Sequence, residues 1–348
     1  MIYLVGWGLL YFAILIPALT GYRGKVFFAL ALLFVAAISI FRGAVGTDTS
    51  SYEHILLSFM SQEGWSGIEP GFLAMGWMLI KSLGSAEVAV RAISLIFFLL
   101  LFVFLVRADK NELFFLMVYI LPVFSYQYSM NGLRIGIASA FLLLTVQEIR
   151  RRNRFSGVAM TLSALLFHYT MLFSLFFIYL TQRRWLKFSN FLFLIIVAAF
   201  TISTFYLNSE YFSYKISIYE TMQSPGILSG LSKVLVIFIV ISGVFISKIP
   251  MGEKIKIIIP GILLAMAFWG LAYFTYAGLR FLDLLSFVLP VAMMGAYSRL
   301  GLSFDKPVRV ALFFGGLVSA AAVYRGFLLE SGQGPTPFLP YHFFHFSL

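Results

Sequence analysis

The sequence predicts an all-α polytopic membrane protein, and three observations carry that prediction. Only 11% of the 348 residues are charged and 61% are hydrophobic, against roughly 25% charged in an ordinary soluble domain. Near-continuous apolar runs fill the chain, many approaching the roughly 20 residues that a helix needs to cross a hydrocarbon core about 30 Å thick. The basic residues gather in short loops between those runs, as the positive-inside bias requires. A single soluble core is excluded, and the chain reads as one integral-membrane domain, 1–348.

Charge then sets the order of the elements. Six loops, at 22–25, 107–112, 150–154, 183–187, 248–256 and 299–309, hold 17 of the 25 Lys and Arg and are assigned to the cytoplasm. Between them about ten full spans are predicted, near 2–19, 26–41, 88–106, 113–129, 132–149, 186–206, 227–247, 257–276, 281–298 and 310–329, with both termini outside. The run Ile2 to Leu19 has no basic stretch before it and no small-residue cleavage site after it, so it is predicted to be a span and not a removed signal peptide.

Two apolar stretches break the alternation, 70–83 with 14 residues and 156–181 with 26. Each is predicted to be a re-entrant hairpin, a pair of short spans or an interfacial helix. Irregular backbone at membrane depth is tolerated only where protein or a wet cavity covers it. The outer face is left with the loops 42–69 and 207–226, turns at 130–134 and 277–280, and the tail 330–348. Gly46, Ser213 and that tail are expected outside, Asn153 and Gly252 inside. The loops are too short for a catalytic domain, so any chemistry falls to helix ends and loops acting together at the membrane surface.

The net charge of +11 would suggest nucleic acid in a soluble protein, but here it resides in the inter-helix loops, and no nucleic-acid partner is predicted. Cysteine is absent, which excludes disulfides and thiolate metal sites. No metal-ligand spacing, phosphate loop or dinucleotide fingerprint is present. Neither a metal nor another cofactor is predicted.

Eight cations lie outside the basic loops, and Arg42, Arg134 and Arg280 fall at predicted outer helix ends. A cation inside the bilayer costs about 2.5 to 3.5 kcal/mol on insertion scales, so something must offset it. A guanidinium offers a planar fork suited to pyrophosphate; the plainer alternative is a carboxylate partner or lipid headgroups. Arg280 and Asp283, three apart, can pair on one helix face.

The segment from Arg42 to Tyr52 opens the first outer loop. Asp48, with Thr49 and Ser50, can cap a helix over 52–60, or can bind sugar hydroxyls or help activate an acceptor hydroxyl. Tyr52 lies one turn further on. At Asn131-Gly132-Leu133-Arg134 a helix starts at the outer surface, so free N–H groups and the positive dipole end accompany Arg134; Asn131 is alternatively an N-cap. His168, in Phe167-His168-Tyr169, lies mid-way along 156–181. It is either a hydrogen-bonded packing residue or a general base suited to neutral pH.

These elements occur in a recognisable order: Arg-Gly-x-x-Gly-Thr-Asp-Thr-x-x-Tyr at 42–52, Glu69-Pro70-Gly71-Phe72, Asn131-Gly132-Leu133-Arg134, a basic loop at 150–154, and Phe167-His168. The order resembles the EpsG family of Wzy-like polysaccharide polymerases. The resemblance implies a GT-C-like membrane glycosyltransferase of the bacterial inner membrane with its active site facing the periplasm. Its donor and acceptor would be undecaprenyl-pyrophosphate-linked glycans, with membrane lipids around it and room for a chain-length regulator as partner. It further implies His168 and Asp48 as catalytic residues, Arg42, Arg134 and Arg280 on the pyrophosphate, and Tyr52 and Asn131 on substrate. A transporter or flippase of lipid-linked sugars and a membrane O-acyltransferase are the rival readings. No paired broken helices favour the transporter.

Overall fold

A computed structural model describes residues 1–20, 24–61, 67–182 and 229–344, with single positions at 206, 209, 213 and 217. Among the described residues the architecture is helical, and β pairing is limited to one antiparallel bridge between Arg42 and Phe343. Contacts divide the chain into two compact units, Met1–Tyr169 with Gly316–Leu348, and Thr170–Gly315.

In the first unit α1 (Ile2–Thr20) packs on α2 (Val26–Ile40). Neither holds a charged residue, so each is stable only when its backbone groups bond internally and its side chains meet lipid or protein. The chain after α2 then forms α3 (Thr49–Ser61), whose buried residues Thr49, Tyr52, Leu56 and Phe59 recur every third or fourth position, the signature of one apolar face. Next come α4 (Pro70–Leu83), opened by a proline at its first position and stopped at Gly84 in the left-handed region, and α5 (Ala86–Arg107), capped by the Ser85 hydroxyl.

A capping box between Asp109 and Glu112 starts α6 (Lys110–Asn131), which contains two π turns, Leu116–Ile120 and Gln127–Asn131. Single π turns inside an α-helix re-aim side chains and often mark sites. α7 (Leu133–Arg150) and α8 (Arg154–Phe167) form the most extensive helix pair of this unit. The turn between them places Arg152 at φ 59, and the Asn153 side chain accepts from Ser156 N to cap α8. So short a connection sends α8 back along α7, which returns the end of α8 to the neighbourhood of the start of α7.

In the second unit α9 (Met171–Gln182), α10 (Leu231–Ile246), α11 (Met251–Phe274) and α12 (Tyr276–Leu300) pack together, α12 against each of the other three. α13 (Lys306–Leu329) belongs to this unit as far as Gly315 and to the first from Gly316.

Among the described residues, five helices are long and apolar enough to cross a membrane: α5, α6, α11, α12 and α13. The spans expected near 2–19, 26–41, 132–149 and 227–247 are helices as well, α1, α2, α7 and α10. The expected span 186–206 lies outside the described residues apart from position 206, as does the loop 207–226 apart from three single positions. Of the irregular stretches, 70–83 is α4, whose 14 residues rise about 21 Å and fall short of the bilayer core. The stretch 156–181 divides at His168–Thr170, where His168 adopts an extended backbone between α8 and α9.

Candidate functional site

The centre of the site is Glu69, whose side chain is 3% exposed. It stands at the N-cap position of α4 without capping it, so both carboxylate oxygens are available to other partners. Oε2 accepts from Arg134 Nη1 at 2.7 Å, and Oε1 lies 2.8 Å from His168 Nδ1. Arg134 comes from the first turn of α7 and His168 from the residue after α8, two ends that the α7–α8 pairing returns to one place.

The close approach of α4 to α8 depends on Gly71. A Cβ there would stand 2.9 Å from the Leu166 carbonyl oxygen and 3.0 Å from its carbon, inside any real contact distance, so the absence of a side chain is what lets Glu69 reach His168.

Burial would push the Glu69 pKa up, but the hydrogen bond from His168 and the Arg134 charge outweigh it and hold the carboxyl at about 2. An ionised carboxylate only accepts hydrogen bonds, so a neutral His168 carries its proton on Nδ1 and presents a lone pair at Nε2. Nε2 has no hydrogen bond among the described residues, and the side chain is 23% exposed. Glu69, His168 and Arg134 thus form an oriented imidazole beside a cation.

Tyr52, expected to touch substrate, is buried on α3 against Phe72, with ring centroids 5.8 Å apart, and lies within hydrogen-bonding reach of Arg134. As placed it helps to hold the guanidinium. Asn131 is not the N-cap of α7, a position taken by Gly132. Its Nδ2 donates to Thr47 Oγ1 at 2.7 Å, and its Oδ1 accepts from the Asp48 backbone N–H at 3.4 Å, so it ties the loop 46–48 to the end of α6. Asp48 is half-buried just before α3, where its carbonyl accepts from Tyr52 N.

Arg42, expected at an outer helix end open to pyrophosphate, has no exposed surface. Its Nε donates to Val45 O, and its Nη1 to Ser39 O and Ser94 Oγ. Burial first, and then the charge of Arg91, press its pKa below the usual arginine range. Arg280 belongs to the second unit, exposed, with its guanidinium 5.6 Å from the Tyr276 ring centroid. Asp283, its expected partner, is instead 2.6 Å from Lys233. Arg42 and Arg134 thus belong to the first unit and Arg280 to the second.

Glu69 was missed as a site residue by reasoning from the sequence, although the Glu69-Pro70-Gly71-Phe72 run carried it. A carboxylate before a Pro-initiated helix reads as a cap, and the signal that it is more was the glycine two residues on.

The EpsG family model matches residues 25–343, nearly the whole chain. The chain belongs to the EpsG family. That places it among Wzy-like polysaccharide polymerases and accounts for a membrane-embedded, helical chain with a part in polysaccharide biosynthesis. Searches of curated proteins and of solved structures find no match. Every element that suggested the family in the sequence, from Arg42 to His168, lies in the first unit.

Proposed function

We infer that this EpsG-family chain polymerises undecaprenyl-pyrophosphate-linked oligosaccharide repeat units at the periplasmic face of the bacterial inner membrane, as a lipid-linked-donor glycosyltransferase. The observation that carries the reading is the single buried carboxylate that orients His168 and Arg134 together, in a chain of a polymerase family.

The chemistry follows from the groups present. The acceptor hydroxyl oxygen attacks the anomeric carbon of the donor as its bond to the pyrophosphate oxygen breaks, and the electron pair leaves with the pyrophosphate. The hydroxyl proton passes to His168 Nε2, and Glu69 stabilises the imidazolium that results. Arg134 offers a cation where the leaving group's charge develops. Asp48 is the second candidate for the base, and Arg280 a further candidate for the pyrophosphate from the other unit.

The test is a deletion strain complemented with the wild-type gene or left empty. Surface glycan is resolved by length, and monomer composition and acetyl content are measured beside it. Loss of polymer with single repeat units still exported and normally acetylated supports the reading. Loss of the single units as well would indicate a flippase, and loss of acetyl groups alone an acyltransferase.

A further inference from the structure

Two arginines in the first unit are buried beyond what the Glu69 cluster explains. Among the described residues Arg42 has no carboxylate within ion-pair distance and its Nη2 has no hydrogen-bond partner. Arg91 reaches the same loop: Nε donates to Arg42 O and Nη2 to Gly43 O, both at 2.9 Å, and Nη1 meets Glu53 at 3.2 Å. Of these two buried guanidiniums only Arg91 meets a carboxylate, and one donor edge of Arg42 meets nothing among the described residues. A buried, unpaired cationic donor is costly unless an anion visits it.

The C-terminal segment closes this place. Phe343 pairs with Arg42 in the antiparallel bridge, Gly43 N donates to His342 O at 2.7 Å, and Phe344 N donates to Phe41 O at 2.8 Å. The Arg91 guanidinium lies 4.1 Å from the Phe344 ring centroid, and Tyr341 Oη donates to Ile38 O. The segment lies so flat on Gly43 that a Cβ there would stand 3.0 Å from Phe343 O. One bridge is far short of the strand pairing that persists by itself in water, so this closure can open. Glu53, which pairs with Arg91, is next to Tyr52, which reaches Arg134, so α3 joins this place to the Glu69 cluster.

We propose that residues 340–344 are a strap over a diphosphate site built from Arg42 and Arg91, which lifts to admit the diphosphate of the lipid-linked donor. The proposal rests on the polymerase reading for the identity of the donor. A guanidinium with a free edge beside a second guanidinium matches the bidentate geometry of phosphate oxygens, and the strap keeps both from titrating solvent anions between turnovers.

The chain has no cysteine, so a pair introduced as Phe41→Cys and Phe344→Cys, opposite one another, has no other thiol to compete for the disulfide. Binding of a polyprenyl diphosphate, the corresponding monophosphate and inorganic pyrophosphate is measured on the purified full chain, oxidised and reduced. The reduced form is expected to bind the polyprenyl diphosphate. Oxidation should weaken that by at least about tenfold, because the locked strap removes the competent population. Arg42→Gln and Arg91→Gln should each weaken it, and Gly43→Ala, which crowds the strap, should tighten it. Equal binding by the oxidised and reduced forms overturns the strap and leaves the polymerase reading intact. Inorganic pyrophosphate bound as well as the lipid overturns the donor assignment. If the reduced form binds no diphosphate while the wild-type gene still restores polymer, the site is overturned and the proposed activity is not.

Discussion

At the C-terminal end of α7, Arg150 lies 2.7 Å from Glu112, Arg107 lies 2.8 Å from Glu148, and Gln147 donates to Glu112. Each carboxylate there is buried and met by a guanidinium. At the other end of the same helix, about 24 Å away, one carboxylate serves both Arg134 and His168. The residue types are alike, but their matching is not. The Arg150 end is a set of ion pairs that fixes helix ends, with a polar cavity of about 350 Å³ beside it lined by Arg107, Glu148, Arg151, Asn153 and Ser156. At the Arg134 end one buried carboxylate serves both a guanidinium and an imidazole whose other nitrogen has no hydrogen bond among the described residues, which is the condition for acting on something else.

The comparison breaks most sharply at His168. His168→Ala should lower polymer formation by about 10² to 10⁴, the usual cost of losing a general base, with normal protein in the membrane. Arg150→Ala should lower the amount of folded protein and leave the activity per molecule within about tenfold. Glycan length profiles normalised to membrane protein level read both. A residual rate for His168→Ala within about tenfold of wild type returns it to packing and moves the base to Asp48, whose Asn variant should then be inactive.

Next in size is Glu69→Gln, which keeps the shape and removes the charge that orients His168. Losing a hydrogen bond to a charged group costs about 1.5 to 3 kcal/mol, roughly 10- to 150-fold in rate. Glu112→Gln at the other end should lower melting temperature in detergent instead. If the two variants have the same profile, the distinction between the ends fails.

Gly71→Ala tests the geometry without touching a polar group. The added methyl meets the Leu166 backbone, so α4 and α8 must separate, and an activity loss on the order of tenfold is expected. Combined with Glu69→Gln it should cost little more than Glu69→Gln alone, because both act through the same contact.

The smallest effect is in pH. Glu69 is held at about 2 in the folded chain against an ordinary value of 4.5, so its contribution to stability is present in full above about 4.5 and disappears as pH falls towards about 2. Melting temperatures of wild type and Glu69→Gln should differ by a constant amount from pH 7 to about 5 and converge below. A gap that is unchanged at pH 3 would show that Glu69 is not ionised against these partners.

The helices themselves were legible because the bilayer allows so little else: apolar runs without charge must satisfy their backbone internally, and this alone predicts α1, α2, α5, α6 and α10 to α13 near their observed bounds. The break near His168 also belongs to local sequence, whereas the caps at Ser85, Asp109 and Asn153 were seen only in the structure. The family was legible for the same reason, since its elements are short motifs at helix ends.

Which charges meet was decided by the tertiary structure. Glu69 and His168 are 99 positions apart, and Arg42 and Phe343 pair across nearly the whole chain. The choice between Asp283 with Arg280 and Asp283 with Lys233 turned on the packing of α10 against α12. Hydropathy reports how far a residue lies from water, and it is blind to direction around a helix. Whether a buried arginine faces a carboxylate, a carbonyl or nothing depends on rotations and close approaches, such as that of Gly71 on Leu166, that exist only once the helices have packed.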